Sequence, residues 1–255
     1  MAIVIKNAQQ IEKMRVACNL VKGAFALCHS LIADGITTRE LDENVTKFLK
    51  SRGAKASFKN YRGFPKSCCI SINEEIIHGI PGPKRLRNGD IVSIDIGAFI
   101  GGYHGDAART FAVGEVDGEA LHLIAVTRDS FFAGMKFARK GFHLNQVSAA
   151  IQEYAESQGF GVVTDYVGHG IGADLHEAPE IPNFRQKKRG PRLQPGMTLA
   201  IEPMINMGTP DITTLEDGWT VVTADGKPSA HYENTVLITD GAPEILTLED
   251  VDYGI

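Results

Sequence analysis

Acidic residues stand inside segments that otherwise read as buried strand, and this feature constrains the fold more than any other. Asp95 sits between Ile94 and Ile96, in an alternation of Val92, Ile94 and Ile96 against Ser93, Asp95 and Gly97. Glu202 follows Leu199-Ala200-Ile201 and precedes Pro203-Met204-Ile205, and Glu233 heads an apolar run from Tyr232 to Thr239. A carboxylate carried into a sheet interior is costly to desolvate unless something pairs with it. A fold for this chain must therefore supply each acid with a partner.

The surrounding periodicity gives the elements. Ile11, Met14, Ala17, Val21 and Phe25 recur at helical spacing between Ala8 and Ile32, and a second helix opens near Thr37-Thr38 with Glu40 and Leu41 in its first turn. Strands are expected at Ser67 to Ile72 and Asp90 to Phe99, and again at Ala107 to Val113 after Gly101-Gly102, the last two forming a hairpin. Glu119 to Gly134 and Leu144 to Gln158 read as amphipathic helices, the second ending at a Gly159 C-cap. Met197 to Ile205, Trp219 to Thr223 and Glu233 to Thr239 read as strands, separated by the turn signals Gly208-Thr209-Pro210 and Asp225-Gly226-Lys227-Pro228. Helices plus hairpin, then helices plus hairpin, is an α+β order that suggests two similar halves around a shared sheet. The expectation is one catalytic domain over residues 1–255, because no linker-like composition break interrupts the chain.

Composition excludes several classes. Apolar residues make up 43% and charged residues 22% of the 255 residues, which is ordinary for a globular chain. The apolar stretch Ala24 to Ala33 is broken by Cys28, His29 and Ser30 and falls short of the ~20 residues of a membrane span. Four cysteines (Cys18, Cys28, Cys68, Cys69) without a CxxC pair suggest a reduced, cytoplasmic protein, and a net charge of −5 gives no reason to bind DNA. One basic cluster, Arg185, Lys187, Lys188, Arg189 and Arg192, reads first as a solvated loop and second as a docking patch for an anionic partner.

Asp95 and Asp106 lie on the two arms of the expected hairpin, where cross-strand pairing brings both to one face; like charges so placed need a cation between them. His169, within Gly168-His169-Gly170-Ile171-Gly172, has flanking glycines that let its backbone approach a neighbour closely. One imidazole among carboxylates suits Mn, Fe or Co, with Zn also admitted. His78, in His78-Gly79-Ile80-Pro81, and His176, in Leu175-His176-Glu177, are candidates for acid–base work. His29, His104, His122, His143 and His231 read as structural or surface residues. The sequence has no Gly-x-Ser-x-Gly elbow, phosphate-binding Gly-x-x-x-x-Gly-Lys loop or His-Glu-x-x-His helix, and Cys68-Cys69 is a weak candidate nucleophile.

These blocks together resemble the type I methionine aminopeptidases. The likeness runs through Lys66-Ser67-Cys68-Cys69-Ile70-Ser71-Ile72-Asn73-Glu74, Gly89-Asp90-Ile91-Val92-Ser93-Ile94-Asp95, Gly105-Asp106, the His78, His169 and His176 segments, Pro195-Gly196-Met197, Ile201-Glu202-Pro203, Asp217-Gly218-Trp219 and Tyr232-Glu233-Asn234-Thr235. The resemblance implies a pita-bread fold, with a curved antiparallel sheet in pseudo-two-fold halves covered by helices. It implies two divalent metal ions, bridged by Asp106 and Glu233, with Asp95 completing one and His169 and Glu202 the other. A metal-bound water or hydroxide would attack the scissile carbonyl, Glu202 would shuttle the proton, and His78 and His176 would contact the substrate amide. Phe58, Tyr61, Phe64, Cys69, Leu175 and Trp219 would surround the methionine side chain; Phe58 stands where some relatives carry cysteine and Leu175 where some carry phenylalanine.

The resemblance further implies a monovalent cation near Asn73 and Ser229, nascent chains with an amino-terminal methionine before a small residue as substrates, a transient ribosome contact and a monomer. Without an amino-terminal extension bearing paired zinc-binding cysteines, the short bacterial or organellar form is the closer likeness. The alternatives are an Xaa-Pro aminopeptidase or dipeptidase of the same fold, which usually carries a further amino-terminal domain, and a non-catalytic binding protein on this scaffold, which would have broken ligands.

Overall fold

The computed structural model describes residues 2–249. The expected single domain of 1–255 extends beyond them at both ends. Two helices open the chain, α1 at Ala8–Leu31 and α2 at Thr38–Ser51. Each begins with a capping box, Asn7 with Gln10 and Thr37 with Glu40, which satisfies amide groups that the first turn leaves free. A second pair, α3 at Gly118–Met135 and α4 at Leu144–Ser157, follows the first hairpin. Among the described residues no helix is long and apolar enough to cross a membrane.

Among the described residues nine strands form the central sheet, numbered here in chain order. They are β1 (Lys55–Ala56), β2 (Cys68–Ile72), β3 (Ile91–Ile100), β4 (Tyr103–Ala112), β5 (Gly168–Gly170), β6 (Glu177–Ile181), β7 (Thr198–Ile201), β8 (Glu233–Leu237) and β9 (Glu244–Ile245). Their order is β1-β3-β4-β8-β7-β5-β6, with β2 beside β3 and β9 beside β8, and every pairing is antiparallel. Six shorter strands form two three-stranded sheets, one of which pairs Met204–Asn206 with Ser229–His231.

Alternation along the strands divides the sheet into two unlike faces. Ile94 and Ile96 of β3 and Ala107 and Phe111 of β4 join Phe25, Leu41 and Val45 of the first helix pair in one core cluster. Leu199 and Ile201 of β7 and Val236 of β8 join Phe131, Val147 and Ile151 of the second pair in another. Each helix pair thus covers its own half of the same face, as the duplicated order of elements suggested.

Three sequence expectations need correction. The second hairpin arm begins at Tyr103 rather than Ala107, so Gly105 and Asp106 are inside the strand. The expected strand from Met197 to Ile205 is two strands, Thr198–Ile201 and Met204–Asn206, interrupted at Glu202-Pro203. Pro203 has no N–H to give a ladder, so pairing stops there. The strand expected from Trp219 begins at Val221, because the Asp217 carboxylate accepts the N–H groups of Trp219 and Thr220, each at 2.8 Å, and holds them in a turn.

Candidate metal centre and active site

The strand registers alone bring the acids together. Asp95 of β3 is opposite Ala108 of β4, and Ala108 is also opposite Glu233 of β8. Directly opposed residues share a face, and so do residues two apart on one strand, so Asp95, Asp106 and Glu233 project together. Thr235, two beyond Glu233, is opposite Ala200 of β7, and Ala200 is opposite His169 of β5. Glu202, two beyond Ala200, completes the set. Four strands, with Glu202 just past the end of a fifth, therefore deliver five ligand-type side chains to the face opposite the two helix-covered cores.

Distances agree with the register. Asp106, His169 and Glu233 each offer an atom within 4.8 Å of the other two. His169 Nε2 lies 3.6 Å from Glu202 Oε1. Asp95 Oδ1, Asp106 Oδ1 and Glu233 Oε1 are closed to solvent and have no hydrogen-bond partner among the described residues. Oxygen atoms buried in this way are expensive unless a cation or donor meets them. Burial, and for three of them their mutual repulsion, pushes all four carboxyls upward: Asp95 to about 7, and Asp106, Glu202 and Glu233 well above the usual range. The donor set, four carboxylates and one imidazole with unpartnered oxygens turned inward, fits divalent cations of the hard to intermediate kind.

His169 reaches this cluster because both neighbours are glycine. A Cβ at Gly168 would collide with the Ala200 carbonyl, and one at Gly170 with the Ala178 carbonyl, so only glycine admits the adjoining strands. Its Nδ1 lies 3.0 Å from the Gly170 carbonyl oxygen. A carbonyl can only accept, so Nδ1 carries the proton and Nε2 keeps its lone pair toward the carboxylates.

The thirteen site candidates chosen from the sequence all line one cavity of about 220 Å³. Phe58, Tyr61, Phe64, Cys69, Leu175 and Trp219 form an apolar cluster in its wall, with Phe64 and Trp219 edge to face at 5.2 Å. Asn60 and Arg62 adopt positive φ (67° and 49°), a tight turn that delivers Tyr61 and Phe64 to the wall. His78 also has positive φ, 60°, and its ring meets Tyr166 and Trp219 edge-on. Such backbone is tolerated where surrounding structure enforces it, here by Gly79, whose Cβ would strike the Ile70 carbonyl. His176 lies between the Tyr61 ring, stacked at 5.1 Å, and the His169 ring at 4.0 Å. Burial lowers His78 and His169 to about 4 and His176 to about 3, so all three are neutral near pH 7. The Cys69 thiol is pushed well above its ordinary value by burial and by nearby acids, which rules it out as a nucleophile at neutral pH.

The cavity wall also includes Arg62, Ile77, Tyr166 and Val167, which nothing in the sequence had marked. His231, read from the sequence as structural or surface, is buried with Nε2 3.8 Å from Glu202 Oε2 and without a hydrogen-bond partner among the described residues. The two residues that the resemblance ties to a monovalent cation are in contact: the Ser229 N–H donates to the Asn73 carbonyl at 2.9 Å.

Residues 12–240 match the description Metallopeptidase family M24. The methionine aminopeptidase of Clostridium perfringens is 53% identical over 246 residues, covering 96% of this chain and 99% of that protein. Methionine aminopeptidase 1 of Bacillus subtilis is 48% identical over 245 residues, covering 96% and 99%. Among solved structures, the methionine aminopeptidase of Thermotoga maritima superposes with a TM-score of 0.95 at 44% identity, covering 97% of this chain and all of that one. The prolidase of Pyrococcus horikoshii OT3 reaches a TM-score of 0.78 at 22% identity over 97% of this chain and 64% of its own, a likeness of fold alone. With its pita-bread fold and its inward-turned carboxylates, the chain belongs to metallopeptidase family M24 and, within it, to the methionine aminopeptidases.

Proposed function

We propose that the protein hydrolyses the peptide bond after an amino-terminal methionine when a small residue follows. One observation carries this reading: four carboxylates and one neutral imidazole converge in a cavity whose wall is otherwise largely apolar, lined by aromatic rings and a thiol. A flexible thioether packs well against such a wall.

In this reading Asp106 and Glu233 would serve both of two divalent ions of the Mn, Fe or Co kind, while Asp95 would help hold one and His169 with Glu202 the other. The bound ions would acidify water and polarise the scissile carbonyl, so that hydrolysis runs near neutral pH. The rest falls to the protein's own groups. Glu202 stands at the break before Pro203, with its carbonyl held by the Asn183 amide at 2.9 Å, and takes and returns the proton. His78 and His176 are neutral, so each can donate one hydrogen bond to the substrate amide without bringing a charge. Phe58, Tyr61, Phe64, Cys69, Leu175 and Trp219 seat the methionine side chain and exclude water around it. A monovalent cation beside Asn73 and Ser229 belongs to the same proposal, as do a monomeric state and action on nascent chains in the cytoplasm.

Lys187, Lys188, Arg189 and Arg192 are exposed in the segment between β6 and β7, whereas Arg185 pairs with Glu153. These free charges in an acidic protein support a transient ribosome contact, and unchanged ribosome binding after reversing them would discard it. For the activity itself, release of methionine from Met-Gly and Met-Ala peptides is compared with cleavage of Xaa-Pro peptides, with and without chelator. Methionine release that stops on chelation is expected; cleavage of Xaa-Pro peptides alone would overturn the proposal.

A further inference from the structure

The segment before α1 reverses the usual sense of burial. Val4 and Ile5 are 44% and 47% exposed, whereas Lys6 is 5% exposed. Hydrophobic sorting would place them the other way round, so Lys6 is inside because of its partner. Its ammonium pairs with the Glu177 carboxylate, with the two side chains only 2% and 8% exposed. The Lys6 N–H donates to the Gly196 carbonyl at 2.8 Å, and Nζ donates to the Val4 carbonyl at 3.3 Å. Two glycines shape this seat. Gly196 has φ +88°, and a Cβ there would lie 2.7 Å from the Lys6 carbonyl oxygen; a Cβ at Gly172 would lie 2.5 Å from Lys6 Cε and strike the Glu177 carboxylate.

The second oxygen of Glu177 is also in use. Oε1 accepts the Asp174 N–H at 3.3 Å. One carboxylate thus ties the amino-terminal segment to the turn over residues 171–176, which leads from His169 on β5 to β6 and carries Leu175 and His176 into the cavity wall. The His176 ring depends on that turn for its place between Tyr61 and His169. A shift of about 1 Å in such a group is enough to cost about a hundredfold in rate.

We infer that Lys6 and Glu177 form a positioning pair, which fastens the amino-terminal segment beneath the 171–176 turn and so sets the orientation of His176. Neither residue touches the substrate; both act through the turn. The inference rests on the reading of His176 as a substrate contact.

The test uses the manganese-loaded protein and three variants: Lys6→Met, Glu177→Gln and the two combined. Each single variant leaves one buried group without its partner and is expected to melt earlier. The combined variant leaves no buried charge unpaired, so it should regain most of the lost melting temperature. Its kcat on a Met-Ala peptide should nevertheless stay about 10- to 100-fold below wild type, with KM within about twofold and unchanged manganese content. Amide hydrogen exchange should rise in residues 171–177 and stay unchanged in β3 and β4. A combined variant with near-normal kcat, or with normal exchange in 171–177, would overturn the inference. Absence of methionine release by the wild-type protein would instead count against the aminopeptidase reading, and the exchange measurement would still decide whether the pair holds the turn.

Discussion

Replacing Asp95 by asparagine should stabilise the metal-free protein above neutral pH while weakening the metal-loaded one. In the folded state the Asp95 carboxyl is pushed from the ordinary 3.8 to about 7, chiefly by burial. Its folded value lies above its unfolded value, so between those pH values the folded chain holds more protons, and stability falls as pH rises. The difference of about 3 units at about 1.4 kcal/mol each corresponds to at most about 4 kcal/mol lost between pH 4 and pH 8. Asp95 is only half-buried as a whole residue, which trims that figure. Asparagine keeps the shape and cannot ionise, so this part of the loss disappears. Urea denaturation of chelated wild-type and Asp95→Asn protein from pH 5 to pH 8 measures it. The wild-type midpoint should fall more steeply with pH, and excess manganese should reverse the ranking, because a ligand that binds only the folded state stabilises it, by about 2.7 kcal/mol at a hundred times Kd. Parallel pH profiles for the two chelated proteins would refute the claim that Asp95 enters the site at an electrostatic cost.

On the proposed ligand set, Glu233→Gln should lower methionine release at least about a thousandfold, since losing an anion shared by both ions would remove several kcal/mol of catalytic electrostatics at 1.36 kcal/mol per decade; near-normal turnover would count decisively against that proposal. Gly170→Ala should cost about 3 kcal/mol in a denaturant titration and lower metal uptake, because the new methyl collides with the Ala178 carbonyl beside His169. Arg109→Met should cost about 3–5 kcal/mol by the same measurement. The Arg109 guanidinium donates to the Glu233 carbonyl, to Asn234 Oδ1 at 2.8 Å and to Glu249 Oε2 at 2.7 Å, and its loss leaves the Glu249 carboxylate buried without its cation. Cys69 should react with a thiol reagent only after unfolding, because its thiol is buried and raised; labelling of the native protein at neutral pH would contradict this.

What the sequence made legible follows from where the physics is local. Both ends of α1, α3 and α4 and the start of α2 are legible to within two residues, because apolar spacing and caps are properties of neighbours in the chain. Asp95 and Glu233 were conspicuous because a carboxylate in an apolar alternation is a local contradiction. The start of β4 was missed for a non-local reason: Gly105 and Asp106 are poor strand formers, yet a Cβ at Gly105 would lie 2.7 Å from the Cys18 backbone nitrogen, so helix α1 requires the glycine there. The turn before it was visible as Gly101-Gly102, both with positive φ (62° and 85°), which suits a two-residue hairpin with Ile100 opposite Tyr103. His231 was passed over because its importance comes from a pairing of Met204–Asn206 with Ser229–His231, which no neighbouring residue announces.

The division of the sheet explains why one chain can carry so unfavourable a cluster. Every strand that delivers an acid also sends its alternate side chains, such as Ile94, Ile96, Leu199 and Val236, into helix-covered cores. Fully burying one such side chain contributes roughly 1.5–3 kcal/mol, and each strand provides more than one. The repulsion among Asp95, Asp106, Glu202 and Glu233 is thus opposed on the same strands, one residue away, by the burial that fixes their register. Sequence positions that look like errors in an apolar pattern are then the direct consequence of a two-faced sheet, in which the helix side stabilises and the open side is left for chemistry.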